Sequence, residues 1–135
     1  MIDTGVLFAL ADRSDQWHIA AVECNQRLAA SKRLRMTTEW VLTEFLGKSA
    51  KQPLRSVAAT AVHRLVSQAR VEVIVATHDD WQRGLALYEA RLDKDWSLVD
   101  CLSILVCKDR GIKDVFTGAR HFQQAGLRIL LRKGS

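Results

Sequence analysis

The stretch Met1-Ile2-Asp3-Thr4-Gly5-Val6-Leu7 places a carboxylate between a short apolar strand and a helix-like turn. The same order recurs downstream, where further short segments rich in apolar or β-branched residues alternate with helical patterns. These segments predict strands at residues 34–37, 71–75, 115–117 and 128–131. Regular alternation of strand and helix favours an α/β fold with a mostly parallel central sheet of about five strands.

Helical periodicity is clearest at residues 14–30, where apolar side chains recur every three or four positions. The same criterion predicts helices at residues 39–51, 53–68, 79–91, 97–110 and 119–125, with the single proline, Pro53, as a helix start.

In parallel sheets of this kind, ligand sites lie at the carboxyl ends of the strands. Polar residues that follow strands, such as Asp3 and Thr117, are therefore the first candidates for a functional site.

Length and composition restrict the class of protein. A chain of 135 residues with 48% hydrophobic and 26% charged residues predicts a single soluble domain over residues 1–135. No apolar run approaches the length of a membrane span, and Asp3 and Asp12 interrupt the region where a signal peptide would lie. Three cysteines without a C-x-x-C pair predict reduced, buried thiols and a cytoplasmic location.

Net charge points toward polyanionic partners. The formal net charge is +5 and the sequence pI is about 9.4, which favours attraction to nucleic acid. The basic residues are spread along the sequence. Lys48, Lys51 and Arg55 near Pro53 are either a solvated face or part of a track for RNA phosphates.

Three carboxylates are candidates for chemistry, although each has an ordinary structural explanation. Asp3 follows a strand and is placed to cap the next helix. Glu44 lies about two turns into the helix predicted from residue 39, where pairing with Lys48 at i,i+4 would make it a solvated surface residue. Asp100 closes Ser97-Leu98-Val99-Asp100, which is a capping box in its own right. None of the three is specific alone.

Taken together, these segments resemble a known pattern. The matching pieces are Asp3-Thr4, Val41-Leu42-Thr43-Glu44, Ser97-Leu98-Val99-Asp100-Cys101 and Phe116-Thr117-Gly118-Ala119-Arg120-His121-Phe122, followed by Ala125-Gly126. In order and spacing, over nearly the whole chain, they resemble PIN-domain ribonucleases, especially toxins of the VapC type. The resemblance implies a three-layer α/β/α fold and a metal-dependent endoribonuclease.

The resemblance also implies roles for individual residues. Asp3 and Asp100 would be the principal carboxylates for Mg²⁺ or Mn²⁺, and Glu44 would support them directly or through water. Hard oxygen donors of this kind suit such cations, which also neutralise the mutual repulsion of clustered carboxylates. The hydroxyls that could orient the carboxylates belong to Thr4, Ser97 and Thr117. The implied partners are an RNA substrate, a cognate antitoxin bound across an apolar groove, and a second copy of the chain in a homodimer.

One position departs from the family pattern. Two residues after Thr117 the pattern has an aspartate, whereas this chain has Ala119. Either a natural loss or a substitution that disarms a toxic enzyme explains an alanine there, and both put full activity in doubt. Two alternatives therefore stay open, a catalytically inactive module that binds RNA or antitoxin and a structure-specific DNA nuclease. His121 and the four tryptophans, Trp17 among them, are predicted to serve structure rather than chemistry.

Overall fold

A computed structural model describes residues 1–131, which form seven helices and four strands. In chain order these are α1 (Thr4–Ala11), α2 (His18–Ala30), β1 (Arg35–Thr38), α3 (Glu39–Lys48), α4 (Leu54–Val66), β2 (Val71–Ile74), α5 (His78–Ala90), α6 (Leu98–Arg110), β3 (Asp114–Val115), α7 (Arg120–Gln124) and β4 (Arg128–Ile129). None of the helices in this range is long and apolar enough to cross a bilayer.

The first residues of the chain occupy the middle of the sheet. β1 pairs in parallel with β2, and β3 pairs in parallel with β4. Between the two pairs, the Ile2 N–H donates to the Met36 carbonyl at 2.7 Å, and Ile2 forms a parallel bridge with Phe116. The five segments therefore follow the order β2, β1, residues 1–3, β3, β4. This arrangement confirms the predicted parallel sheet.

Alternate residues of the central segments face opposite sides of the sheet, as strand geometry requires. Ile2 and Phe116 join a core formed with the first four helices, in which Phe45 of α3 is fully buried. Met1 and Val115 join a second core on the other face, with α6 and α7. A sheet with a core on each face is a three-layer α/β/α arrangement, in agreement with the predicted fold class.

Two local predictions differ from the structure at the start of the chain. Residues 4–11 form a helix of two turns, where only a helix-like turn was expected. The helix predicted from residue 14 begins instead at His18. Asp12 Oδ1 accepts a hydrogen bond from the Ser14 N–H at 2.9 Å, and Asp15 Oδ1 accepts one from the Trp17 N–H at 2.8 Å. These side-chain to backbone bonds favour turns over helix at residues 14–17.

Helix α6 is fixed at both ends and along one side. Ser97 and Asp100 form the predicted capping box, and Gly111 ends the helix with a φ of 65°, which glycine adopts without steric cost. Along its side, α6 packs closely on α5 at Gly84. A Cβ at Gly84 would lie 2.6 Å from Cδ2 of Leu102, so any other residue there would force the Leu102 side chain to move. This packing holds Asp100 at a defined position relative to the sheet.

Candidate active site

Asp3 is a buried carboxylate at the carboxyl end of the central strand. Its residue is only 6% exposed. Although Asp3 stands at the N-cap position of α1, its side chain makes no cap hydrogen bond. Instead, Asp3 Oδ2 accepts a hydrogen bond of 2.8 Å from the Thr117 hydroxyl, which lies beyond the end of β3. The capping explanation of Asp3 is therefore wrong, and the carboxylate faces its neighbours across the sheet.

The electrostatic surroundings of Asp3 are unfavourable for a negative charge. Burial is the main cause that raises its pKa, to about 6, and the hydrogen bond from Thr117 opposes this effect. The negative charges of Asp100 and Glu44 raise the pKa further. Both carboxylates therefore act electrostatically on Asp3, although all three residues lie far apart in the sequence. A cation near Asp3 would relieve this repulsion.

Asp100 is held in place from two directions. Its Oδ2 accepts a hydrogen bond of 3.0 Å from the Ser97 N–H and lies 3.1 Å from Nδ1 of His121. The Ser97 hydroxyl accepts from the Asp100 backbone N–H, so it positions the backbone rather than the carboxylate. His121 thus contacts a candidate site residue. Sequence reasoning assigned it only to its own turn, because His121 and Asp100 lie on different helices.

Glu44 occupies the middle of α3, which packs against both α1 and α6. The residue is half-buried. Among residues 1–131 no ion pair joins it to Lys48, so the expected surface pairing does not form. The charge of Glu44 contributes to raising the pKa of Asp3, so it acts on the same carboxylate as Asp100 does, although neither residue lines the pocket beside Asp3.

A pocket of about 230 Å³ opens beside Asp3. Its lining includes Thr117, Gly118 and Ala119 from the segment after β3, together with Trp17. A Cβ at Gly118 would lie 3.1 Å from the Trp17 ring, so glycine allows this close approach. Trp17 was expected to fill the core, and the structure shows that it also forms a wall of this pocket. Its position next to Gly118 depends on the turns at residues 14–17, which periodicity alone could not reveal.

The segment after β3 also presents Ala119 to the pocket. Its backbone N–H donates to the Thr117 hydroxyl at 3.0 Å, and its side chain is a methyl group at the N-cap position of α7. The same Thr117 hydroxyl therefore links Ala119 to Asp3. A longer acidic side chain at position 119 would begin from the wall of the pocket that contains Asp3.

Whether a metal ion suits these residues can be judged from the donors. Within the described part of the chain, no three His, Cys, Asp or Glu side chains form a group that could hold a metal by themselves. Mg²⁺, however, is usually bound through one or two carboxylates and retains several waters. Asp3 offers a buried oxygen donor whose charge lacks compensation, and the next residue, Thr4, has a buried Oγ1 without a hydrogen-bond partner among residues 1–131. These donors fit a hard divalent cation.

Comparisons with known proteins agree with this geometry. The family model described as PIN domain matches residues 1–127. A sequence search of curated proteins finds no match. Among solved structures, the chain is similar to the VapC20 toxin of Mycobacterium tuberculosis, described as cleaving the sarcin–ricin loop. The two share 25% identity and a TM-score of 0.79 over 93% of this chain and 94% of the other. From its sequence match and its fold, the chain belongs to the PIN-domain family.

Proposed function

We propose that the protein is a metal-dependent endoribonuclease, the toxin of a toxin–antitoxin pair. The observation that carries the proposal is the buried Asp3 carboxylate, which lies in a pocket at the carboxyl edge of the sheet under the influence of Asp100 and Glu44. Family membership and the similarity to a toxin described as cleaving the sarcin–ricin loop support the same reaction. The RNA phosphodiester is the proposed substrate.

The proposed roles follow from what each side chain contacts. Asp3 and Asp100 would hold Mg²⁺ or Mn²⁺, with Glu44 supporting them directly or through water. When bound, the cation supplies Lewis acidity toward the phosphodiester and toward water. The Thr117 hydroxyl orients the Asp3 carboxylate, while Ser97 and His121 fix Asp100. Thr4 has a buried hydroxyl that could join the ligands through water.

A groove on another face of the molecule suits the proposed antitoxin. It has a volume of about 620 Å³ and lies among α1, α2 and α4. Its apolar lining is provided by Leu7, Leu10, Val57, Ala61 and Leu65. A helix or extended peptide with regularly spaced apolar anchors fits such a groove. We propose that the antitoxin occupies it, that the toxin acts as a homodimer, and that it works in the cytoplasm, where buried free cysteines such as Cys101 stay reduced.

Ala119 favours a second candidate function. With a methyl group where the family pattern has aspartate, the pocket offers one hard donor fewer, and a metal would be held more weakly. The chain would then be an inactive module that still binds RNA or antitoxin. This candidate and the ribonuclease differ in one measurable property, which is metal-dependent cleavage.

The experiment compares cleavage of RNA and of DNA by the purified chain, with Mg²⁺, with Mn²⁺ and with a chelator. Asp3→Asn is the matched variant, because it keeps the shape of the side chain and removes its charge. Metal-dependent RNA cleavage that disappears in Asp3→Asn supports the ribonuclease. Binding without cleavage, unchanged when position 119 carries aspartate, supports the inactive module. Preference for DNA would contradict both.

A further inference from the structure

A second groove lies at the opposite edge of the sheet from Asp3. Its volume is about 930 Å³, and its lining residues come from the amino ends of β1, β3 and β4 and from the segments just before them. The charged residues of the lining are Arg33, Lys113, Asp114 and Arg128, and the exposed Leu34 lies among them. We call this surface the amino-edge groove.

Positive charge dominates the amino-edge groove. Lys113 is exposed and forms no ion pair within residues 1–131, and Asp114 is the only carboxylate that lines the groove. Close by, Arg70 donates to the backbone carbonyl of Lys32, the residue before Arg33, at 3.2 Å, which brings one more guanidinium near the groove. The groove therefore carries an excess of two positive charges, whereas the charged residue that lines the pocket at the other edge is the carboxylate of Asp3.

The carboxylate of Asp114 binds the side chains of both arginines that line the groove. It accepts two hydrogen bonds of 2.8 Å from Arg128, through Nε and Nη2, and one of 2.8 Å from Nη2 of Arg33. The hydrogen bonds from Arg128 are the main cause that lowers the pKa of Asp114 to about 2, so it stays ionised. Both arginine side chains nevertheless remain more than half exposed, at 52% and 64%.

This arrangement suits phosphate. A guanidinium fixed on one side by a carboxylate keeps its plane and still has N–H groups for a second acceptor, and arginine binds phosphate oxygens through paired N–H donors. Arg33, Arg128 and Lys113 carry three positive charges against one negative charge in a single groove. A chain of phosphates complements such a surface better than an isolated anion does.

We propose that the amino-edge groove binds the phosphate backbone of the RNA at a site separate from the pocket that contains Asp3. The inference rests on the proposed function, since RNA is the polyanion that the pocket would cleave. β1 has four residues, so the two edges are roughly 13 Å apart along the strands. A folded RNA can reach both edges at once. The groove then anchors the RNA without contacting the bond that is cleaved.

Binding of a labelled RNA hairpin, measured by fluorescence anisotropy over a range of salt concentrations in the presence of a chelator, tests the proposal. The variant combines Arg33→Gln, Lys113→Gln and Arg128→Gln, and the control is Arg83→Gln, an exposed arginine that pairs with Asp109 and does not line the groove. We expect the triple variant to bind at least about tenfold more weakly at low salt and to lose roughly one unit of salt slope per residue. The control should bind as the parent does. Equal affinity and slope in the triple variant and the parent would overturn the proposal.

Two further measurements separate this inference from the proposed function. Lys113→Gln alone removes one charge without breaking an ion pair, so it reports on the groove even if the triple variant is unstable. An RNA too short to span the roughly 13 Å between the two edges contacts only the pocket, so its cleavage, in chains that carry aspartate at position 119, should depend on Lys113→Gln less than hairpin binding does. If the chain cleaves no RNA but Lys113→Gln still weakens binding of the hairpin, the proposed nuclease activity is rejected and the RNA-binding role of the amino-edge groove is retained. The same variants are also titrated with an acidic peptide. If the triple variant loses affinity for the peptide and binds the RNA hairpin as the parent does, the groove binds a protein and the proposal is rejected.

Discussion

The Thr117 hydroxyl donates a buried hydrogen bond of 2.8 Å to the carboxylate of Asp3, and the two residues are 114 positions apart in the sequence. The same hydroxyl accepts the backbone N–H of Ala119 at 3.0 Å. One side chain therefore links the central strand, the neighbouring strand and the start of α7. It is also the hydrogen bond that opposes the rise in the pKa of Asp3 caused by burial.

Thr117→Val should destabilise the protein by roughly 1–3 kcal/mol, because Asp3 and the Ala119 N–H both lose a buried partner. The pKa of Asp3 should rise further, since its side-chain donor is gone. Thr117→Ser is the control, because it keeps the hydroxyl and removes only a methyl group. The free energy of unfolding from urea titrations at neutral pH checks this. Equal stability of the Val and Ser variants would contradict it.

Asp3→Asn should stabilise the metal-free protein at neutral pH and remove part of its pH dependence. The pKa of Asp3 is about 6 in the folded protein, against an ordinary value of 3.8 for an exposed aspartate. Between these values the folded state binds the proton more tightly than the unfolded state does, so stability falls as pH rises through this window. The gain at neutral pH should be on the order of 2–3 kcal/mol, and it should vanish near the lower end of the window.

Urea titrations of the parent and Asp3→Asn across this pH range, both with a chelator, measure the difference directly. Mg²⁺ should then raise the melting temperature of the parent and leave that of Asp3→Asn unchanged, since ligand binding stabilises only a state that binds. If the free energy of unfolding of the two chains depends on pH in the same way, burial of the Asp3 carboxylate does not destabilise the parent.

Ala119→Asp should strengthen metal binding and increase metal-dependent RNA cleavage by orders of magnitude. The new carboxylate adds a hard donor and a negative charge to the pocket that holds Asp3. Ala119→Asn is the matched control, because both side chains can cap α7 and only aspartate brings charge. Isothermal titration with Mn²⁺ and RNA cleavage assays check the result. Equal activity of the Asp and Asn variants would show that charge at position 119 is irrelevant.

Gly84→Ala should destabilise the packing of α5 on α6 by roughly 1–3 kcal/mol, because its Cβ would lie 2.6 Å from Leu102. The Leu102 side chain must move or change rotamer to admit it. Adding Leu102→Ala should make Gly84→Ala much less costly than it is alone, which a double-mutant cycle measures. Additive effects of the two substitutions would rule out the contact as the cause.

The sequence predicted the parts of the fold that local patterns encode. The capping box of Ser97 and Asp100 predicted the start of α6. Runs of apolar and β-branched residues predicted the strands. Helix α1 was underestimated because its sequence, TGVLFALA, is apolar on nearly all sides and lacks the polar face that makes periodicity visible. Residues 14–17 were assigned to a helix from periodicity, which does not register the hydrogen bonds to Asp12 and Asp15 that favour turns there.

The site was predictable as a set of residues and not as a set of contacts. Asp3, Glu44 and Asp100 could be chosen from a family resemblance, and their roles as metal ligands stay predictions. The pairing of His121 with Asp100 depends on how α7 packs beside α6, which no spacing in the sequence encodes. The amino-edge groove could not be predicted either, because it also depends on how the elements pack. Arg33, Lys113 and Arg128 are distant in the sequence and meet only where the strands begin.

The place of residues 1–3 in the centre of the sheet bears on when the protein matures during its own synthesis. Ile2 pairs with Phe116, and Asp3 accepts a hydrogen bond from Thr117, 114 positions later in the sequence. Because contacting segments can pack only after both have emerged from the ribosome, the pocket that contains Asp3 cannot assemble on a nascent chain that has not yet reached Thr117. The proposed nuclease would therefore have no site around Asp3 while the segment between these two residues is still being translated.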